Sequence, residues 1–289
     1  MKTLLTESTR HLRASLVRHG WTIGRYESSV FADQERRYLL KGEVPDGSIA
    51  IIASVLPAPE SLFDLLALHR LLVENGATEI SLIVPYLGYA RQDRPDKKGA
   101  AAIGIMVADL LRQTGVSRLV VCDVHSERIR LALGPALVEW SALPLFAAAL
   151  AKRPPSVIVS PDAGSGPRAR RLAELLEPRP EVAMIDKFRP RPNVAIARRL
   201  QGDVRGKKVL IIDDMIDTGG TLVEAVKLVA ENGAAAISIA ATHGIFSGGA
   251  RERLARLPVS EILVTNTLPQ IRHRKIRCLD IVPLLPTKW

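Results

Sequence analysis

The densest chemistry in this chain of 289 residues lies between Val209 and Thr221, where an apolar run leads at once into Asp213, Asp214, Met215, Ile216, Asp217, Thr218, Gly219, Gly220 and Thr221. Adjacent carboxylates at a strand end can accept hydrogen bonds from vicinal hydroxyls. Thr218, Gly219, Gly220 and Thr221 offer hydroxyls and backbone N–H groups where a helix begins, and phosphate oxygens bind at such helix starts. The segment therefore describes a site for a ribose phosphate. Acid pairs and glycine pairs are each ordinary turn chemistry, but apolar strand, acid pair, glycine loop and helix rarely coincide in that order.

Composition narrows the partner. Of the side chains 24% are charged and 47% hydrophobic, as in an ordinary globular protein, so neither disorder nor a fibrous fold is expected. The formal net charge of +10 suits a nucleic acid, a membrane surface or a phosphorylated small molecule. Aromatic residues are only 4%, and the basic residues are spread without the interleaved rings on which single-strand binders stack bases. Phosphorylated small molecules lead. No apolar run reaches the ~20 residues of a membrane span, and Met1 to Arg10 lacks the apolar core of a signal peptide, so the cytoplasm is expected. Cys122 and Cys278 stand far apart in apolar stretches and read as buried structural thiols.

The elements that must position the loop come from alternating patterns. Ile49 to Ala53, Ile80 to Pro85, Leu119 to Cys122, Val157 to Ser160, Val209 to Ile212, Ala236 to Ala241 and Ile262 to Thr265 read as buried strands. Ser61 to Glu74, Ala101 to Gln113, Arg168 to Leu176 and Leu222 to Asn232 read as helices. Strand and helix in alternation predict an α/β chain with two doubly wound parallel-sheet domains. A breaker at Lys152-Arg153-Pro154-Pro155, after a helix that follows Trp140, puts the boundary near residue 143, dividing the chain into 1–142 and 143–289. Ligands of such folds sit beyond the carboxyl ends of the strands.

The loop from Asp213 to Thr221 resembles the phosphoribosyl pyrophosphate motif of type I phosphoribosyltransferases and of ribose-phosphate pyrophosphokinases. Three further segments resemble the pyrophosphokinases: Pro85 to Arg94 (PYLGYARQDR), Ser160 to Gly164 (SPDAG) and Thr242 to Gly248 (THGIFSG). The similarity runs from about Phe31 to Leu285 and implies two phosphoribosyltransferase-like domains, an amino-terminal one for ATP and a carboxyl-terminal one for ribose 5-phosphate.

By that resemblance Phe31, Asp33, Glu35, Arg91, Gln92, Asp93 and His125 belong to the ATP site, with the Phe31 ring stacking on adenine. Arginine forks are well suited to phosphate oxygens. Asp162, Asp213, Asp214, Asp217, Thr218, Gly219, Gly220 and Thr221 belong to the ribose 5-phosphate site. Asp123-Val124-His125 resembles the family's Asp-Leu-His, which implies Mg²⁺ held through His125 and Asp162; magnesium needs few protein ligands when phosphates complete its shell. His243 and the other histidines read as structural. Lys187 and Arg189, ahead of a Pro- and Arg-rich stretch ending near Gly202 that reads as a mobile loop, match a catalytic lysine and arginine that close over the transferring phosphates.

The chain departs from the family pattern at Pro59 to Ser61, at Ala100 to Ile105 and at Arg128, and its Pro286-Thr287-Lys288-Trp289 end lacks the serine-rich tail tied to phosphate and ADP control. That control is not carried over. The implied activity is transfer of the β,γ-pyrophosphoryl group of ATP to the 1-hydroxyl of ribose 5-phosphate, giving phosphoribosyl pyrophosphate and AMP. The competing readings are a non-catalytic relative that regulates a true synthase, a type I phosphoribosyltransferase and, last, a nucleic-acid binder. The resemblance also implies a homo-oligomer, dimer or hexamer, with no nucleic acid or membrane partner.

Overall fold

The computed structural model describes residues 2–42, 48–188 and 197–285, with the backbone alone at 187, 188, 197 and 198. In chain order the elements are β1 (Lys2–Leu5), α1 (Arg13–Arg18), β2 (Thr22–Ile23), β3 (Arg25–Val30), β4 (Arg36–Lys41), β5 (Ser48–Ile52), α2 (Pro59–Glu74), β6 (Glu79–Val84), α3 (Ile103–Gln113), β7 (Arg118–Cys122), α4 (Glu127–Leu133) and β8 (Leu137–Trp140). There follow α5 (Leu143–Leu150), β9 (Val157–Ser160), α6 (Gly166–Glu174), β10 (Glu181–Phe188), β11 (Ala197–Gln201), β12 (Lys208–Ile216), α7 (Gly220–Glu231), β13 (Ala236–Gly244), α8 (Ala250–Ala255), β14 (Glu261–Thr265) and β15 (Ile276–Leu279).

These divide into two compact units. The first runs from the amino terminus to Ser141 and takes in Thr267–Pro269 and the residues from Val282 on; the second is Ala142–Asn266 with Gln270–Ile281.

The first unit holds a six-stranded sheet in the order β2-β1-β5-β6-β7-β8, parallel throughout. Ile49 to Ile52, Leu82 to Val84 and Leu119 to Val121 are buried at every position, as strands covered on both faces require. α2 opens with a proline in its first turn and buries Ser61, Leu65, Leu68 and Leu72, one stripe at spacings of four and three. Each of those leucines removed from water contributes about 2 kcal/mol. Gly76 ends the helix at φ 87°, a left-handed backbone that glycine adopts without strain.

The second unit holds a seven-stranded sheet ordered β11-β10-β9-β12-β13-β14-β15, parallel except for the antiparallel β10–β11 edge. Its core gathers Val157, Val159, Val209 and Ile211 of the strands with Leu222, Ala225, Val226 and Val229 of α7. The chain leaves β9 toward β10 on one side and returns through β12 on the other, so the direction of winding reverses between β9 and β12. Crevices for ligands form at the carboxyl ends of strands where that reversal occurs.

Four differences from the sequence reading have physical reasons. Arg25 to Lys41, in which no strand is expected, forms the β3–β4 hairpin; its ribbon is exposed along most of both strands, so it shows no apolar alternation to read. The stretch from 197 to 201, expected as loop, is β11, paired antiparallel with β10 at the sheet edge. β12 runs beyond its apolar part through Asp213 and Asp214, because its ladder with β13 continues to Ile216 and Gly244. Cys122 is buried as expected, but Cys278 is exposed, since β15 is the other edge of the sheet. Among the described residues no helix is long and apolar enough to cross a membrane.

Candidate active site

The loop after β9 and the carboxyl end of β12 flank the reversal point, the first carrying Asp162 and the second Asp213 and Asp214. In register Ile211 lies opposite Val159, so Asp162 and Asp213 come off neighbouring strands just beyond the paired part. Ser165 is buried and donates its hydroxyl to Asp213 Oδ1 at 2.7 Å, while its backbone N–H donates to Asp162 Oδ1 at 3.1 Å. The Asp214 N–H donates to the same Asp213 oxygen at 2.9 Å. Burial first, and then the neighbouring Asp214 charge, push the Asp213 carboxyl up to about 7, with Asp162 adding in the same direction. Three acids in one place make a concentration of negative charge that hydroxyl donors or a cation must answer.

The loop continues through Asp217 and Thr218 into α7. Gly219 sits at φ 75°, where a side chain would be strained, and a Cβ there would meet Leu254 of α8 at 3.3 Å. Gly220 begins the helix, and a helix start is a place where backbone N–H groups can meet phosphate oxygens. Arg253 of α8 pins this loop from behind: it donates to the carbonyl of Thr218 at 2.6 Å and to that of Gly248. Thr242 and His243 are buried in β13, with His243 in register against Met215, which fits a structural histidine.

In the first unit the second group of candidates leaves the adjacent strands β6 and β7. The β6 loop is tied to the β5 loop by bonds from the Val55 N–H to Tyr86 O and from the Gly88 N–H to Val55 O, both 2.8 Å, and by the Tyr89 hydroxyl on the Pro57 carbonyl. Arg91 and Gln92 follow, exposed, with the Gln92 N–H on Tyr89 O and the half-buried Asp93 next in line. His125 is exposed on the β7 loop. Glu139 braces that loop, accepting the Val124 N–H at 3.1 Å and a two-pronged Arg130 contact at 2.6 and 3.0 Å. Ser126 caps α4 through the Ile129 N–H.

Phe31, Asp33 and Glu35 stand at the tip of the β3–β4 hairpin. Asp33 turns the tip by accepting the Glu35 N–H, and Phe31 is 50% exposed. The hairpin is fixed to α2 through Asp64. Tyr38 donates to Asp64, and burial together with that bond pushes its hydroxyl up to about 12.

Comparison with known proteins decides what this arrangement belongs to. A model of the N-terminal domain of ribose phosphate pyrophosphokinase matches residues 1–115, and one of the phosphoribosyl synthetase-associated domain matches residues 162–287. A ribose-phosphate pyrophosphokinase of Caldanaerobacter subterraneus is 35% identical over 99% of this chain and 92% of its own. The chain belongs to the ribose-phosphate pyrophosphokinase family. It is an enzyme of the transferase class with two phosphoribosyltransferase-like α/β units. Its Aquifex aeolicus relative is 36% identical over 89% of this chain and 83% of its own. The crystal structure of phosphoribosylpyrophosphate synthetase from Mycobacterium smegmatis covers 98% of this chain and 95% of its own, with a TM-score of 0.86 at 30% identity.

For a ribose-phosphate pyrophosphokinase the remaining candidates are Lys187 and Arg189. Lys187 lies near the end of β10, in register with Arg198 of β11, and Arg189 lies outside the described residues. Ser165, Arg253 and Glu139 escaped the sequence reading, because each acts on a candidate residue through the fold rather than through a motif of its own. Among the described residues no group of three or more His, Cys, Asp or Glu side chains is gathered into a ready-made metal cage. Magnesium fits the donor set all the same. It takes hard oxygen ligands sparsely, and the raised Asp213 carboxyl beside Asp162 and Asp214 is the kind of charge excess that a divalent cation relieves.

Proposed function

We propose that this ribose-phosphate pyrophosphokinase moves the β,γ-pyrophosphoryl group of ATP onto the 1-hydroxyl of ribose 5-phosphate, releasing AMP. The observation that carries the reading is the join of the Asp162–Ser165–Asp213 cluster to the start of α7, at the reversal point of one sheet. Acids there meet sugar hydroxyls and N–H groups meet a 5-phosphate, one residue set for each end of the same ligand.

In this reading Asp213 and Asp214 accept from the ribose hydroxyls, and Asp217 to Thr221 surround the phosphate. Arg91, Gln92, Asp93 and His125, on their braced loops, bind ATP in the first unit, together with the Phe31, Asp33 and Glu35 group. The oxygen of the 1-hydroxyl attacks the β-phosphorus, the bond from that phosphorus to the oxygen bridging to the α-phosphate breaks, AMP leaves with the electron pair, and the hydroxyl proton passes to solvent. Lys187 and Arg189 balance the charge that spreads over the transferring oxygens, so no covalent enzyme intermediate is required. His125 and Asp162 are the residues of their respective units that would contact Mg²⁺, whose charge would neutralise the phosphates. The family's habit supports a homo-oligomer in the cytoplasm, with neither nucleic acid nor membrane as partner.

Purified protein with ATP, Mg²⁺ and ribose 5-phosphate should yield AMP and phosphoribosyl pyrophosphate in equal amounts, only when the sugar is present. Lys187→Ala should lower kcat at least about 100-fold with substrates still bound, since its role is confined to the transition state. ADP in place of AMP would overturn the mechanism.

A further inference from the structure

The opposite end of the second sheet carries a feature that the reaction does not use. Where β12, β13, β14 and β15 begin, at Lys208, Ala236, Glu261 and Ile276, a cavity of ≈ 860 Å³ opens between the strand starts and the end of α5. Lys208 precedes Asp213 by five positions on β12, which separates this end from the acid cluster by roughly 17 Å of strand.

Six cationic residues line the cavity against one acid, Glu261. Two of the six are occupied: Lys275 Nζ donates to the carbonyls of Ala255 and Leu257 at 2.7 and 3.1 Å, and Arg277 lies 3.9 Å from Glu261. The other four, Lys152, Arg153, Lys208 and Arg274, have no carboxylate partner among the described residues. They arrive from three separate segments, the α5–β9 connection, the start of β12 and the approach to β15, so sequence neighbourhood does not explain their meeting. Like charges held around one concavity repel, and focusing by its low-dielectric walls strengthens their pull on an anion.

Chemistry and size select the ligand. A lone phosphate would leave most of four cations unanswered, whereas a chain of two or more phosphates meets several at once. Pro155 is buried and Pro154 and Ile276 half-buried on the cavity wall, an apolar surface beside the charges. Small-molecule pockets of about 300–1,000 Å³ are the usual range, so a nucleoside can be accommodated as well. We infer that this cavity binds a phosphate-chain anion, pyrophosphate or longer, bare or carried by a nucleoside, at a site separate from the Asp213 to Thr221 loop.

Inorganic tripolyphosphate, titrated calorimetrically into the full chain, tests it. Lys208→Ala/Arg274→Ala should weaken one binding event per chain at least tenfold, and Lys152→Ala/Arg153→Ala, on a different segment, should do the same. Thr218→Ala/Thr221→Ala, in the sugar-phosphate loop, should leave that event within twofold of wild type. All four cavity side chains are exposed, so circular dichroism and melting should show both cavity variants folded. ADP affinity that both cavity variants lose by a larger factor than pyrophosphate affinity assigns a nucleotide, and equal factors of loss assign the bare chain; both support the site. Affinity unchanged in both cavity variants, or lost in the loop variant, overturns the inference.

Discussion

Ser165 bridges Asp162 and Asp213, giving its N–H to the first at 3.1 Å and its hydroxyl to the second at 2.7 Å. The bond partly offsets the cost of a buried carboxylate, yet burial and Asp214 still hold the Asp213 carboxyl up at about 7, against an ordinary 3.8. A carboxyl raised on folding keeps its proton in the fold after the unfolded chain has lost its own. Stability therefore falls as pH climbs through that window and levels above it. Asp213→Asn cannot ionise and escapes the fall. In chelator, urea unfolding should show the variant gaining on wild type by on the order of 2–4 kcal/mol between pH 4 and pH 8, at about 1.4 kcal/mol per unit of pKa. Parallel pH profiles for the two proteins would refute it.

Arg253 touches no proposed ligand atom, but it donates to the Thr218 and Gly248 carbonyls and so fixes the loop expected to hold the 5-phosphate. Arg253→Ala should raise the KM for ribose 5-phosphate about 5–10-fold with a smaller change in kcat, the scale of losing a charged hydrogen bond at a partly exposed site. Arg253→Lys should recover only part, because one ammonium lacks the planar fork that serves two carbonyls. Equal losses in KM for both substrates would point to general destabilisation instead.

The strands of the cores and the acid–glycine loop were legible because each is a contiguous pattern: Val209 to Ile212 is apolar on both faces, and the chemistry follows it directly. The hairpin was not, since Arg25 to Lys41 packs against the core mainly through Tyr26, Tyr38 and Leu40 and is otherwise exposed. Ser165 and Arg253 were invisible for another reason. Their importance comes from contacts 48 and 35 residues away, and no local periodicity encodes those.

Gly88 makes a different claim on the chain. A Cβ there would stand 2.5 Å from the Val55 carbonyl oxygen, which is also the acceptor of the Gly88 N–H. Backbone must move to admit it, so Gly88→Ala should cost about 2–3 kcal/mol of stability, in the range of other strained backbone sites. Because the same turn carries Arg91, the KM for ATP should rise in step with the loss in Tm. A variant as stable as wild type would show that the β5 and β6 loops are not locked together.

Glu139 bears on the metal question without being a ligand. Its carboxylate takes the Val124 N–H on one oxygen and the Arg130 fork across both, which leaves His125 projecting from a loop braced on its amino-terminal side. Glu139→Gln keeps the shape and one acceptor but removes the charge that makes the Arg130 pair strong. Arg130 is only partly exposed, so the loss should reach about 1 kcal/mol rather than the few tenths of a fully solvated pair. If His125 contacts Mg²⁺, the Mg²⁺ concentration for half-maximal rate should rise several-fold in the variant, while the KM for ribose 5-phosphate stays put. His125→Ala should show the same Mg²⁺ shift, and combining it with Glu139→Gln should add little, since a brace has no further effect once the side chain it steadies is gone. Additive shifts in the double variant would mean that Glu139 acts on the reaction by a route other than His125.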